Sequence, residues 1–260
     1  MLSPFAFLIA SPFFAVGAAV AHADVWSTAV ASERPISYYE ASAGADAVSG
    51  SWSAYGGLTA ALLGDIRDDG WRVRTSGGYG RYRYARPAFD PFSKRLIWPE
   101  FRGEMLFADA MIGYKHTFGR LIVKAYAGLT EEQHLIRPHA PSLLAFDDEN
   151  AVQGSRRGFK GALETWLDFG NWGFAQIDAS WSAPFEAYGS RARLGFRLDA
   201  TWSAGVEASV FGNLNHDHGR AGAFVRAEWA WGEASVSAGA DGDAKDVQGA
   251  FGSLGLLLRF

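Results

Sequence analysis

The stretch that most restricts the fold of this chain is its last, 247–260. Read in twos, Ala250, Gly252, Leu254, Leu256, Leu258 and Phe260 fall on one face. Phe251, Ser253, Gly255, Leu257 and Arg259 fall on the other. Alternation of this length specifies a strand between two different environments rather than a helix. Bare in water, so apolar a strand would be an aggregation hazard. In a bilayer it makes sense as the closing strand of a barrel, with the leucines outward and Ser253 and Arg259 towards the lumen. A buried strand of a soluble sandwich is the competing expectation.

The other end of the chain points to export. Positions 2–20 are nearly all apolar or small, and Ala21-His22-Ala23 gives a small-x-small cleavage pattern, so 1–23 reads as a secretory signal peptide. It departs from the usual pattern in having no Lys or Arg before its apolar run. No charged side chain is lost with it, so the chain from Asp24 keeps the formal charge of -4. Beyond it no run of about eighteen apolar residues occurs, which leaves a closed barrel as the only way to span a membrane. The absence of cysteine excludes disulfide frameworks and Cys-based zinc or redox chemistry. The dispersed, mildly acidic charge offers no basic patch for nucleic acid. The 31 glycines suit turns and crowded barrel positions, and the 10 tryptophans suit a membrane interface. The expectation is an all-β, antiparallel transmembrane barrel filling 24–260 as one domain in the bacterial outer membrane.

About twelve alternating segments are read, with ten or fourteen as the alternatives. They are 34–43, 51–63, 71–84, 103–116, 121–130, 158–169, 172–183, 186–202, 204–213, 221–231, 234–240 and 247–260. The stretch 44–50 reads as a turn, and a change of phase around Gly77-Gly78 predicts a bulge. Short turns around Gly119, Gly170, Ser203 and Gly232 alternate with longer connections at 85–102, 131–157 and 214–219. Short periplasmic turns against longer outer loops is the asymmetry expected of such barrels. Trp172, Trp202, Trp229 and Trp231 lie beside the short turns, where an aromatic girdle belongs.

The polar faces carry the candidate functional residues. Lys160, Glu164, Asp168, Asp178, Arg191, Arg193, Arg197, Asp199, Glu207, Arg226 and Glu228 are placed facing the lumen, together with Lys124. Facing lipid at mid-depth, each charge would cost about 2–4 kcal/mol. Their balanced signs favour an ion-pair network packing a narrow interior. A hydrated conduit or sugar-binding lining is the functional alternative. Asn213, Asn215, His216, Asp217 and His218 have the donor types of a metal site, but they read as a solvated turn, and so do His134 and His139. No metal and no cofactor is expected. A lipase-type site needs a serine, a histidine and an orienting acid, and no spacing links such a set here, so no catalytic residue is assigned. Phe89, Phe92, Trp98 and Phe101 in the loops could stack on sugars or pack against the rim.

Three internal stretches carry a family resemblance. They are 71–84 (WRVRTSGGYGRYRY), Gly158-Phe159-Lys160 with Glu164 and Trp166, and 188–197 (YGSRARLGFR). Together with 252–260 they resemble the BcsS family of cellulose biosynthesis proteins over about 35–260. A terminal Phe after alternating apolar residues also resembles the closing strand of bacterial outer-membrane barrels. The resemblance implies a non-catalytic accessory protein of cellulose (exopolysaccharide) synthesis or secretion, exported to the outer membrane. Its partners would be membrane lipid and, beyond it, a glucan chain and the secretion machinery. It carries over no active residue. A small-solute porin and a lipid-modifying enzyme are the alternatives.

Overall fold

The computed structural model describes residues 36–85, 88–90, 92–138, 152–213, 216–242 and 247–260. The expected signal peptide at 1–23 lies outside them. Twelve strands close into one antiparallel barrel. They are β1 (Tyr39–Val48), β2 (Ser51–Ala61), β3 (Gly70–Ala85), β6 (Glu100–Phe118), β7 (Leu121–Pro138), β8 (Gly154–Asp168), β9 (Gly173–Ser182), β10 (Ala187–Arg197), β11 (Trp202–Asn213), β12 (His216–Trp229), β13 (Gly232–Gly242) and β14 (Val247–Arg259). A small hairpin of β4 (Ala88–Asp90) and β5 (Arg95–Ile97) lies between β3 and β6. Each barrel strand pairs with its sequence neighbours, and β14 closes onto β1 from Glu40↔Arg259 to Val48↔Phe251. Closure removes the free edge that the apolar last strand would otherwise expose.

The outer wall is what a lipid-facing surface requires. Leu58, Ile112, Leu129, Ile177, Val206, Val225 and Leu254 all point outward and are exposed. Trp71, Tyr114, Trp172, Trp202, Trp231 and Phe260 ring the end where β1 begins and β14 finishes. Trp52, Tyr79, Phe159 and Trp181 ring the far end. Two aromatic girdles bounding an apolar band fit the two interfaces of a bilayer. No helix among the described residues is long and apolar enough to span a membrane.

The structure departs from the sequence reading at several strand ends. β1 begins five residues later than 34 and runs through the stretch read as a turn, leaving only 49–50 between β1 and β2. Its Ala-Gly-Ala-Asp-Ala run looks like a turn because the residues are small, but smallness has a packing cause. Gly44 faces inward under the Tyr55 ring, and a Cβ there would sit 2.5 Å from it. The segment 186–202 ends at Arg197, and 198–201 form the turn to β11. No register shift interrupts β3 at Gly77-Gly78. The apparent change of phase has a simpler source, for β3 stands taller than the membrane. Beyond the girdle Arg81 and Arg83 face outward, while Tyr82 is buried inside over Gly103, where no side chain would fit. β6 and β7 likewise extend into the stretches read as loops, and Phe101 is a buried strand residue.

Candidate functional site

The inward faces build a lumen crowded with paired charge. Lys160, Glu164, Asp168, Asp178, Arg193, Glu207 and Arg226 are buried inside it, and Lys124 with them. Arg191 and Arg197 are partly exposed there, and Glu228 lies at the end of β12 with its carboxylate 2.9 Å from Arg226. Asp199 does not face the lumen. It sits in the 198–201 turn, accepting the N–H groups of Thr201 and Trp202 at 2.7 Å. The Trp202 and Thr201 N–H groups hold its carboxyl below the usual carboxylate range. Residues not singled out in the sequence complete the lining, among them Glu40, Asp46, Arg72, Arg74, Asp109, Lys115, Arg220, Glu233 and Asp241.

The pairs fall into two kinds. Some join adjacent strands, such as Arg193–Glu207 at 2.7 Å and Arg191–Asp178 at 3.1 Å. Others cross the lumen. Arg74 on β3 reaches Glu164 on β8 at 2.5 Å, past β6 and β7. Lys124 on β7 lies 3.9 Å from both Glu164 on neighbouring β8 and Glu40 on β1, four strands round the barrel the other way. Arg220 on β12 reaches Asp46 on β1 at 3.5 Å. Below this layer, Trp166 and Phe174 stack with centroids 4.0 Å apart, and Arg226 lies 4.8 Å above Trp166, reaching it from β12, four strands round the barrel. Ile122 and Phe224 complete that apolar cluster. Crossings of this kind fill the section with side chains. Two cavities between them each measure about 40 Å³, room for a few waters.

Both mouths carry an inturned segment. At the end where β1 begins, the 62–69 connection folds across the opening and buries Ile66. Arg72, 1% exposed, donates to the carbonyls of Ile66 at 2.6 Å, Asp68 at 2.5 Å and Gly70 at 2.6 Å. Lys115, equally buried, donates to the Arg67 carbonyl. Arg67 in turn reaches the Ala230 carbonyl at 3.4 Å, in the β12–β13 turn. At the far end, the turn before β10 drives Phe185 inward with a φ of 54°. Arg156 covers that ring at 4.6 Å and His134 meets it edge-on at 4.8 Å.

Two of the histidines read as solvated turns, His134 and His218, are buried on strands β7 and β12. His218 is a buried strand residue whose Nε2 lies 2.7 Å from Asp241, itself bound by Arg220 at 3.0 Å. Asn215 and His139 lie outside the described residues. Among the described residues no group of His, Asp and Glu is arranged to hold a metal. Of the loop aromatics, Phe92 and Trp98 are exposed.

Sequence comparison decides the kinship. A family model described as cellulose biosynthesis protein BcsS matches residues 41–260, all of the barrel but the first two residues of β1. The chain belongs to the BcsS family. No curated protein matches this BcsS-family chain in sequence. Among solved structures, the transport unit of the autotransporter AIDA-I from Escherichia coli aligns with a TM-score of 0.51 at 9% identity, covering 89% of this chain and 93% of that one. The KdgM porin aligns at 0.48 and 8%, over 85% and 99%. The translocator domain of the autotransporter NalP from Neisseria meningitidis aligns at 0.48 and 13%, over 88% and 90%. These likenesses concern the fold. The lipid-facing barrel wall and the family match together indicate a membrane barrel with a cellulose-related role.

Proposed function

We propose that this BcsS-family barrel is a non-catalytic, non-conducting accessory of cellulose synthesis and export that acts from its mouths and rim rather than through its lumen. The observation that carries this reading is the cross-lumen set Arg74–Glu164, Lys124–Glu40 and Arg226 over Trp166. A glucan chain threading the barrel would have to break all three and displace both inturned segments. Docking of the secretion machinery at one mouth, or presentation of the rim to the polymer, disturbs none of them. Most of the lumen's carboxylates and cations are engaged in ion pairs, which suits a structural interior better than a reactive one.

Deletion of the gene in its native host, with complementation, tests the role. The expected result is loss of extracellular cellulose with the envelope intact; unchanged cellulose under producing conditions overturns it. The purified barrel in planar bilayers tests the mechanism. No steady conductance is expected, whereas steady glucan-independent conductance would make it a porin. Turnover of lipopolysaccharide or phospholipid would make it an enzyme.

A further inference from the structure

The barrel wall is uneven at the far end, and the unevenness makes a site. β1 and β2 stop at the 49–50 turn, where Ser51 pairs with Tyr82. β3 and β6 continue past that level, pairing Arg83↔Arg102 and Tyr84↔Phe101. The step between the short hairpin and the tall one leaves a notch of about 590 Å³, lined by Trp52, Arg81, Tyr82, Arg83, Arg102 and Glu104 among others.

Its charge is unusual in arrangement rather than amount. Arg83 and Arg102 face outward directly across from each other, and Arg137 holds the next register position on β7. Like charges opposite one another on a sheet face repel. Arg81 is engaged, 3.4 Å from Glu104 and 2.6 Å from the Tyr79 hydroxyl, and Arg102 has Glu100 at 3.6 Å. Arg83 has no acidic partner among the described residues. An anion seated between the two guanidiniums would relieve the repulsion and accept two-pronged hydrogen bonds.

Position chooses the source of that anion. The notch cuts the rim between lumen-facing Val48, Ser51 and Tyr82 and outward-facing Trp52, Arg83 and Arg102, and its arginines face the lipid side just beyond the Trp52–Tyr79 girdle pair, at headgroup level. With the short-turn end periplasmic, this is the outer leaflet. We propose that the notch binds the phosphorylated sugar headgroup of an outer-leaflet lipid, its phosphate between Arg83 and Arg102 and its sugar against Trp52. An unsubstituted glucan is uncharged and would gain nothing from the arginine pair. The site would hold the barrel in a fixed lipid shell, whatever its role in cellulose export.

The test uses the full chain folded in detergent and titrated with bisphosphorylated lipid A, binding being read by native mass spectrometry. Probes alongside are the dephosphorylated lipid, a cello-oligosaccharide and inorganic phosphate. The variants are R83Q/R102Q and, as control, R157Q, whose arginine lies on the same wall but pairs with Glu131 at 2.9 Å. Retained heat-modifiability on gels certifies folding. Affinity for the phosphorylated lipid should fall about tenfold or more in R83Q/R102Q and stay within about twofold in R157Q. Dephosphorylation of the lipid should cost as much as the double substitution. Equal binding by R83Q/R102Q, or by the dephosphorylated lipid, overturns the proposal. So does tighter binding of the cello-oligosaccharide, which would make the notch a glucan site. Inorganic phosphate binding as tightly as the lipid would overturn it too, leaving a bare anion site.

Discussion

Whether the lumen is packed or wet can be decided at one carboxylate. Glu164 is 2% exposed, accepts from Arg74 at 2.5 Å and has Lys124 at 3.9 Å. In E164Q the volume is kept and the charge removed. Arg74 and Lys124, 4% and 5% exposed, are then left with Glu40, which already has Arg259 at 3.6 Å. Three cations would share one carboxylate. Removing one partner of a buried pair costs about 3–5 kcal/mol, because the surviving charge stays desolvated. Removing Arg74 as well takes away one of the stranded charges, so R74Q/E164Q should recover much of the loss. The expected coupling energy is about 1–3 kcal/mol. Urea unfolding of the barrel in lipid vesicles, followed by tryptophan fluorescence, reads these differences from the shift in midpoint. Were the lumen a hydrated channel, water would screen the pair and E164Q would cost under about 1 kcal/mol. That outcome would refute the packed interior and, with it, the argument against conduction.

Two further substitutions test the wall itself. Leu254 points outward in mid-strand, so L254R should destabilise the folded barrel by about 2–4 kcal/mol in the same vesicles. A cost near zero would mean that this face does not meet lipid. Gly103 lies under the Tyr82 ring, and a side chain there would overlap it. G103V should therefore cost about 1–3 kcal/mol, and Y82A should rescue it in the double variant; failure of the rescue would show that the glycine serves the backbone instead.

The barrel was legible because lipid enforces period two more strictly than a soluble core does. In β14 each outward position from 250 to 258 is Ala, Gly or Leu, and in β10 Leu194 and Phe196 alternate with Arg193 and Arg197. The reading failed wherever that pressure is lifted. Above the membrane, outward positions of β3 become Arg81 and Arg83, so polarity no longer reports the face. In β1 every outward residue after Tyr39 is alanine, too small to distinguish strand from turn. Asp199 was misplaced because a turn carboxylate continues the parity of the strand before it. The lumen residues were visible as a polar face, but their partners were not. Arg74 and Glu164 are 90 residues apart and meet only because the curved wall brings β8 within reach of β3 across β6 and β7. Local pattern carries no record of such a chord.

The same geometry explains why a barrel of this size need not be a pore. Eight strands leave a lumen that side chains just fill, and sixteen leave a channel. At twelve the space must be closed by long side chains reaching across, and Arg, Lys and Glu supply that reach, with their charge neutralised in pairs. A channel would keep its cations and carboxylates on separate walls facing water. Here Arg74, Lys124, Arg220 and Arg226 each cross towards a carboxylate or an aromatic ring on another part of the wall. The inturned Ile66 and Phe185 repeat the closure at each mouth with apolar residues, where water would otherwise enter. What the fold leaves available to partners is its perimeter: the connection at 62–69, the β4–β5 hairpin and the tall β3–β6 wall beside the notch. Selection for function should therefore fall on these rims, whereas selection on the lumen should act on charge balance rather than on any single residue.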